Sequence, residues 1–158
     1  MENLTPAPLN IDVGFSEFPA EHTCDGTNQS PRIAIEHPDC TSLAVMVFNP
    51  SMRGVLSYCA WLIWDIPEVQ EIPAGIPLGK KVTSPISALQ GLNDAGQYGY
   101  TGPCPLPGQT HRYLFRVYGL DDFLAIPAGS NKNELKQAMH DHIIQYGETE
   151  ALAVRKVA

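Results

Sequence analysis

The stretch Gly96-Gln97-Tyr98-Gly99-Tyr100-Thr101-Gly102-Pro103-Cys104-Pro105-Leu106-Pro107-Gly108-Gln109-Thr110-His111-Arg112-Tyr113 decides how this chain is read. A loop dense in proline and glycine runs straight into a segment that opens on His-Arg-Tyr. Glycines let a backbone approach a ligand closely. Prolines reduce the entropy lost in holding such a loop still. Tyr113 to Leu120 alternates, with Leu114, Arg116 and Tyr118 on one side, which predicts a strand. His111 then stands at the strand's start, on the rim of a site.

Upstream, turn chemistry extends back to Pro67 through Pro73, Pro77 and Pro85. A stretch that long without regular structure, residues 67–110, is expected to line a binding site. Before it lie two continuous apolar runs, Leu43 to Phe48, ended by Asn49-Pro50, and Tyr58 to Ile66, ended by Pro67. Proline cannot donate to a strand ladder, so both read as buried strands with proline at their ends. Arg32 to Ile35 predicts a short strand and Leu9 to Phe18 a first one. Between them, residues 22–31 form a polar loop with an Asp25-Gly26 turn. Downstream, Asn131 with Glu134 three residues on predicts a capping box. Leu135, Ala138, Met139, His142 and Ile143 continue at helical spacing and Gly147 reads as a stop, so the clearest helix is expected over 131–146. Ala151 to Val157 predicts a last strand. The expected fold is mainly β, a β-sandwich with a few short helices and loops gathered at one end.

Composition agrees. Glycine and proline, 13 and 14 residues of 158, exceed the roughly 12% the pair makes up on average, which favours turns over a helical bundle. A 44% hydrophobic content supports one core, and a single domain over residues 1–158 is expected. The net charge of −7, with no basic run, argues against nucleic-acid binding. No apolar stretch reaches membrane-spanning length and no signal-peptide pattern opens the chain, so a cytoplasmic protein is expected. Cys24, Cys40, Cys59 and Cys104 contain no C-x-x-C pair; a metal site is not expected and the cysteines read mostly as reduced thiols. His140 and His142 stand two apart on the predicted helix and face apart, and His142 falls on the apolar stripe as a core residue. Trp61 and Trp64, three apart on a strand, face opposite sides.

Five segments in order resemble the phosphatidylethanolamine-binding protein family, closest to its bacterial and archaeal branch, which includes Raf kinase inhibitor-like proteins. Phe18-Pro19 through Cys24-Asp25-Gly26 and Ser30-Pro31 resemble its N-terminal segment. Ser42 to Pro50 resembles its strand ending in D-P-D, and Ala60-Trp61 to Ile66-Pro67 its H-W strand. Gly102 to Tyr113 is similar to its signature loop and H-R-Y, and Glu134-Leu135 through His142 to its C-terminal helix. The resemblance implies a β-sandwich with a small anion pocket at one end and no cofactor. It also implies a non-enzymatic role as a ligand-binding protein, with a small anion or phosphorylated headgroup in the pocket. A kinase or protease as target and pairing into a homodimer are further implications.

The pocket residues carried over are Asn49, Pro50, Ser51, Ala60, Trp61, Gly102, Pro103, Pro105, His111 and Tyr113. Three of them depart from the family pattern. D-P-D reads Asn49-Pro50-Ser51, and H-W reads Ala60-Trp61. Both carboxylates and one imidazole are therefore gone. Asn49 and Ser51 can still hydrogen-bond a ligand, but His111 loses the opposite charges that would favour its protonated form. The expectation is a pocket that persists with weakened or altered anion affinity. Two alternatives stand beside it: a hydrolase with Cys104 as nucleophile and His111 as its base, and an interaction protein whose pocket has decayed.

Overall fold

The structure, a computed structural model, describes residues 5–50 and 58–157. The two apolar runs form β4 (Ser42–Asn49) and β5 (Tyr58–Pro67), paired antiparallel. Every residue of β4 is buried, because its sheet is covered on both faces. The signature His-Arg-Tyr opens β9 (Thr110–Leu120), which pairs antiparallel with β4 and with the long β10 (Ile143–Val154). With β1 (Ala7–Pro8), β7 (Lys81–Val82) and β8 (Ala88–Gln90), these make a seven-stranded sheet in the order β1-β10-β9-β4-β5-β8-β7. A second sheet holds β2 (Asn10–Asp12), β3 (Ile33–Glu36) and β6 (Glu71–Ile72) in the order β2-β3-β6. A single 3-10 turn, Ala20–His22, and one helix, α1 (Lys132–Met139), complete the described elements. The expected mainly β sandwich is the observed fold.

Two cores follow from period-two alternation. One lies between the sheets and joins Ile33, Ile35 and Ile72 to Leu43, Val45, Val47, Ile63, Phe115 and Val117. The other lies on the opposite face of the large sheet, where Leu135 and Met139 of α1 close over Met46, Leu62 and Trp64. Trp61 and Trp64 belong to different cores, as their spacing predicts, and both are wholly buried. No helix among the described residues is long and apolar enough to cross a membrane.

Five local expectations are corrected. The helix ends at Met139 instead of 146, because Ile143 onward pairs with β9 from Leu120. Gly147 is no helix stop: it sits mid-strand, where a side chain would strike the Leu9 carbonyl of the segment crossing it. The single strand expected over Leu9 to Phe18 is replaced by β1 and β2, which flank Leu9 and serve different sheets. The stretch 67–110 carries three two- or three-residue strands, β6, β7 and β8: β6 pairs with β3 and β8 with β5, partners too far away in sequence to show in local patterning, while β7 pairs with the nearby β8. His142 is not core: it is partly exposed, and its Nδ1 lies 2.7 Å from Asp121 Oδ1.

Candidate functional site

Of the carried-over residues, Ala60, Trp61 and Tyr113 lie on the face of the large sheet toward the inter-sheet core. Asn49 ends β4 and Tyr113 lies next to it on β9; the register pairs Val47 with Phe115 and Phe48 with Leu114, which brings the two side chains together. The Asn49 side chain is a hydrogen-bonding neighbour of the Tyr113 hydroxyl. Burial pushes Tyr113 up to about 12, against the pull of that hydrogen bond, so its hydroxyl stays a neutral donor through the physiological range. Tyr58 at the start of β5 is also raised, first by burial and then by the Asp94 carboxylate. His111, two residues before Tyr113, shares its face and is half-buried; it makes no side-chain hydrogen bond to another described residue. Ser51 lies outside the described residues.

Ala60 is the extra residue of a β-bulge. Val47 pairs with Trp61 and Phe48 with Cys59, leaving Ala60 unmatched and turned into the same core as Trp61. Trp61 is no open wall: its indole N–H donates to Gln90 Oε1 at 2.8 Å, and Tyr100 meets it edge-on at 5.7 Å. Gln90 in turn donates from Nε2 to the Pro77 and Gly79 carbonyls. The position that the H-W motif would give to an imidazole is thus a small buried side chain beside a locked indole.

The signature loop is held from both sides. Thr101 N–H donates to the Ala60 carbonyl. Gly102, buried, donates its N–H to Asn28 Oδ1 at 2.8 Å, and a Cβ there would overlap the His22 carbonyl oxygen. This close approach is what demands glycine. Pro103 accepts from Cys24 N–H, and the Tyr100 hydroxyl donates to the His22 carbonyl at 2.6 Å. The expected polar loop 22–31 is therefore the lid against which the proline loop packs. His22, read as a loop residue, is buried, with Nδ1 2.8 Å from the Gln29 carbonyl and its ring stacked on Phe15. Pro103 and Pro105 line a small cavity of about 90 Å³ with Phe18, Asp25 and Arg155.

Cys24 and Cys104 form a disulfide across these two loops. This overturns the reading of reduced thiols for that pair and counts against the hydrolase alternative, since a sulfur held in a disulfide is not a thiolate nucleophile for His111 to activate. Cys40 and Cys59 are the free thiols. Burial pushes Cys40 up to about 11 and Cys59 up to about 12, so neither is poised as a nucleophile.

Sequence reasoning missed Asn93. Its buried carboxamide donates to the Ala60 and Gly99 carbonyls and to Thr101 Oγ1, and accepts from Ala95 and Gln97 N–H. One side chain thereby fixes the approach to the signature loop and ties it to the bulge at Ala60. The Asn-Asp-Ala-Gly turn of residues 93–96 was its only local signal. At this end of the sheet the Asn49 carboxamide and the Tyr113 hydroxyl are buried neutral groups, with the half-buried His111 imidazole two residues before Tyr113 and no carboxylate among Asn49, Pro50, Ala60, Trp61, His111 and Tyr113. Among the described residues, no three His, Cys, Asp or Glu side chains come together to hold a metal ion.

A β-sandwich with a proline-rich loop tied to β5 at Ala60 and to the loop of residues 22–31 defines the class. The family model for phosphatidylethanolamine-binding protein matches residues 14–153, and the chain belongs to that family. A UPF0098 protein of Pyrococcus horikoshii is 43% identical over 147 residues, 90% of this chain and 74% of the relative. One from Aquifex aeolicus is 33% identical over 132 residues, 81% of this chain and 75% of the relative. Among solved structures, a phosphatidylethanolamine-binding protein homologue from Chlamydia trachomatis superposes with a TM-score of 0.77 at 30% identity, covering 94% of this chain and 97% of its own. Escherichia coli YbcL, described as a new member of the mammalian family, reaches 0.81 at 24% identity, covering 94% and 99%, a likeness of fold.

Proposed function

We propose that this protein is a non-enzymatic binding module that takes a small anion or phosphorylated headgroup at Asn49, Pro50, Ser51, Ala60, Trp61, Gly102, Pro103, Pro105, His111 and Tyr113. The observation that carries the reading is the convergence of Asn49, Tyr113 and His111 on one face at one end of the sheet. An anion there meets a carboxamide, a neutral phenol and an imidazole, all able to donate. The Gly102 and Thr101 amides are already committed to Asn28 and Ala60. The site therefore holds an anion with fewer donors than its loop suggests, and affinity is weak.

Calorimetric titration with phosphate and with phosphoethanolamine tests this. Dissociation constants of about a millimolar, worth about 4 kcal/mol, are expected. Micromolar binding contradicts the weakened site, and no heat with either ligand contradicts the anion site. The kinase or protease target and the homodimer implied by the family resemblance belong to the same proposal. Inhibition assays and light scattering, respectively, test them. A cytoplasmic location is proposed only together with a cell interior that tolerates disulfides, since most reducing cytosols do not.

A further inference from the structure

We propose that the Cys24–Cys104 disulfide is a thiol–disulfide exchange site, at which a thiol or dithiol reductant attacks Cys24 and expels Cys104 as a thiolate held by Arg155. The inference stands apart from the ligand reading above and rests on the surroundings of the two sulfurs.

Cys24 and Cys104 are both surface-exposed, so a reductant can reach them. Their environments differ in charge. Arg155 Nη1 lies 3.5 Å from Cys104 Sγ and donates to the Pro105 carbonyl at 3.1 Å, while Nη2 pairs with Asp25 Oδ1 at 3.1 Å. The backbone of Arg155 is pinned to the proline loop through Gly108 N–H and the Gln109 carbonyl, so the guanidinium is placed without help from the disulfide. A cation beside Cys104 stabilises the thiolate that must leave there, and a better leaving thiolate speeds exchange. The guanidinium contact is made to the Cys104 sulfur, and the Asp25 carboxylate next to Cys24 in the chain pairs with the far nitrogen of the same guanidinium. The polarity is therefore fixed: Cys24 Sγ is attacked and Cys104 Sγ departs.

The step balances with a thiol as the named reductant. Its thiolate bonds to Cys24 Sγ, the Cys24–Cys104 bond breaks, and the electron pair leaves with Cys104. A second thiolate then attacks the reductant sulfur of the mixed disulfide and releases Cys24, which takes a proton from water. Two protein thiols form while two reductant thiols become one disulfide. What remains between the loops is then non-covalent, the Cys24–Pro103, Asn28–Gly102 and His22–Tyr100 hydrogen bonds. Opening should loosen residues 22–31 from the signature loop while β4 and β9, held by their ladders, stay put.

The full-length protein is treated with limiting reduced glutathione at neutral pH, quenched with acid and mapped by peptide mass spectrometry. Glutathione on Cys24 with a free thiol at Cys104 is expected. Glutathione on Cys104, an even split, or a disulfide unreacted under native conditions overturns the proposal. In parallel, Arg155→Gln should slow reduction by dithiothreitol about five-fold and Arg155→Lys should restore most of the rate; an unchanged rate in folded Arg155→Gln also overturns it. Should Arg155→Gln fail to fold, the position of glutathione in the wild-type protein decides alone. Hydrogen exchange read with and without dithiothreitol should rise in residues 22–31 and not in β9, and equal protection in both states contradicts the loosening.

Discussion

Asn93 and Gln90 are buried side-chain amides, and each ties together groups from separate segments of the chain. Gln90 joins the Trp61 indole to two carbonyls, and Asn93 joins the bulge at Ala60 to the signature loop. A buried polar group left unmatched costs about 1–3 kcal/mol. Asn93→Ala strands several such groups at once and should lower the unfolding free energy in urea by about 3 kcal/mol. Gly102→Ala should cost about as much, by pushing the loop off the His22 carbonyl, whereas Pro107, on the exposed side of the loop, should tolerate alanine within about 0.5 kcal/mol. At this scale the sequence was partly readable. Asn49, His111 and Tyr113 could be placed because strand alternation decides which side chains share a face. Asn93 and Gln90 could not, because an amide's value lies in partners brought from elsewhere in the chain.

Elements were legible where a single period ruled. The runs that became β4, β5 and β9 have boundaries close to those expected, since proline ends two of them and burial on both faces makes the apolar signal continuous. The capping box on α1 is also as expected: Asn131 Oδ1 accepts from Glu134 N–H and Glu134 Oε1 accepts from Asn131 N–H. Asn131→Ala should cost about 1 kcal/mol by thermal or urea unfolding. The far end of the helix was not legible. Residues 143–154 carry a period-two burial pattern of their own, and pairing with β9 outweighs the helical spacing that Ile143 continues. On that ladder Glu148 accepts from the Tyr146 hydroxyl at 2.7 Å and from Arg116 at 3.1 Å. The Tyr146 hydrogen bond first, then the Arg116 bond and charge, hold its carboxyl below the usual value. A depressed carboxyl favours the fold above its unfolded pKa, and the gain is lost as pH falls through the folded one. Tyr146→Phe should move the Glu148 titration upward, toward the ordinary carboxylate range, and shrink the loss of stability in acid. An NMR titration of the Glu148 side chain checks the first, and urea unfolding between mildly acidic and neutral pH the second.

Across the whole molecule, the disulfide joins residues 80 apart in sequence and fastens the N-terminal lid to the loop that begins the site. Closing a loop of that length removes roughly 4–5 kcal/mol of unfolded-chain entropy in the simplest treatment, and native disulfides typically contribute about 2–4 kcal/mol. Cys24→Ser should therefore lower the unfolding free energy by about 2–4 kcal/mol, read in urea, and leave the strand order intact. Nothing local marks Cys24 and Cys104 as partners. Their pairing follows from the lid folding onto the proline loop, a contact that only the assembled sandwich makes. The same assembly brings Asn49 of β4 beside Tyr113 of β9, residues that lie far apart in sequence. The most direct test is an NMR titration of the isotopically labelled protein with phosphoethanolamine. Shifts centred on Asn49, His111 and Tyr113, saturating at about millimolar ligand, are the predicted result. Shifts centred elsewhere on the surface, or none at those residues at saturating ligand, would contradict it.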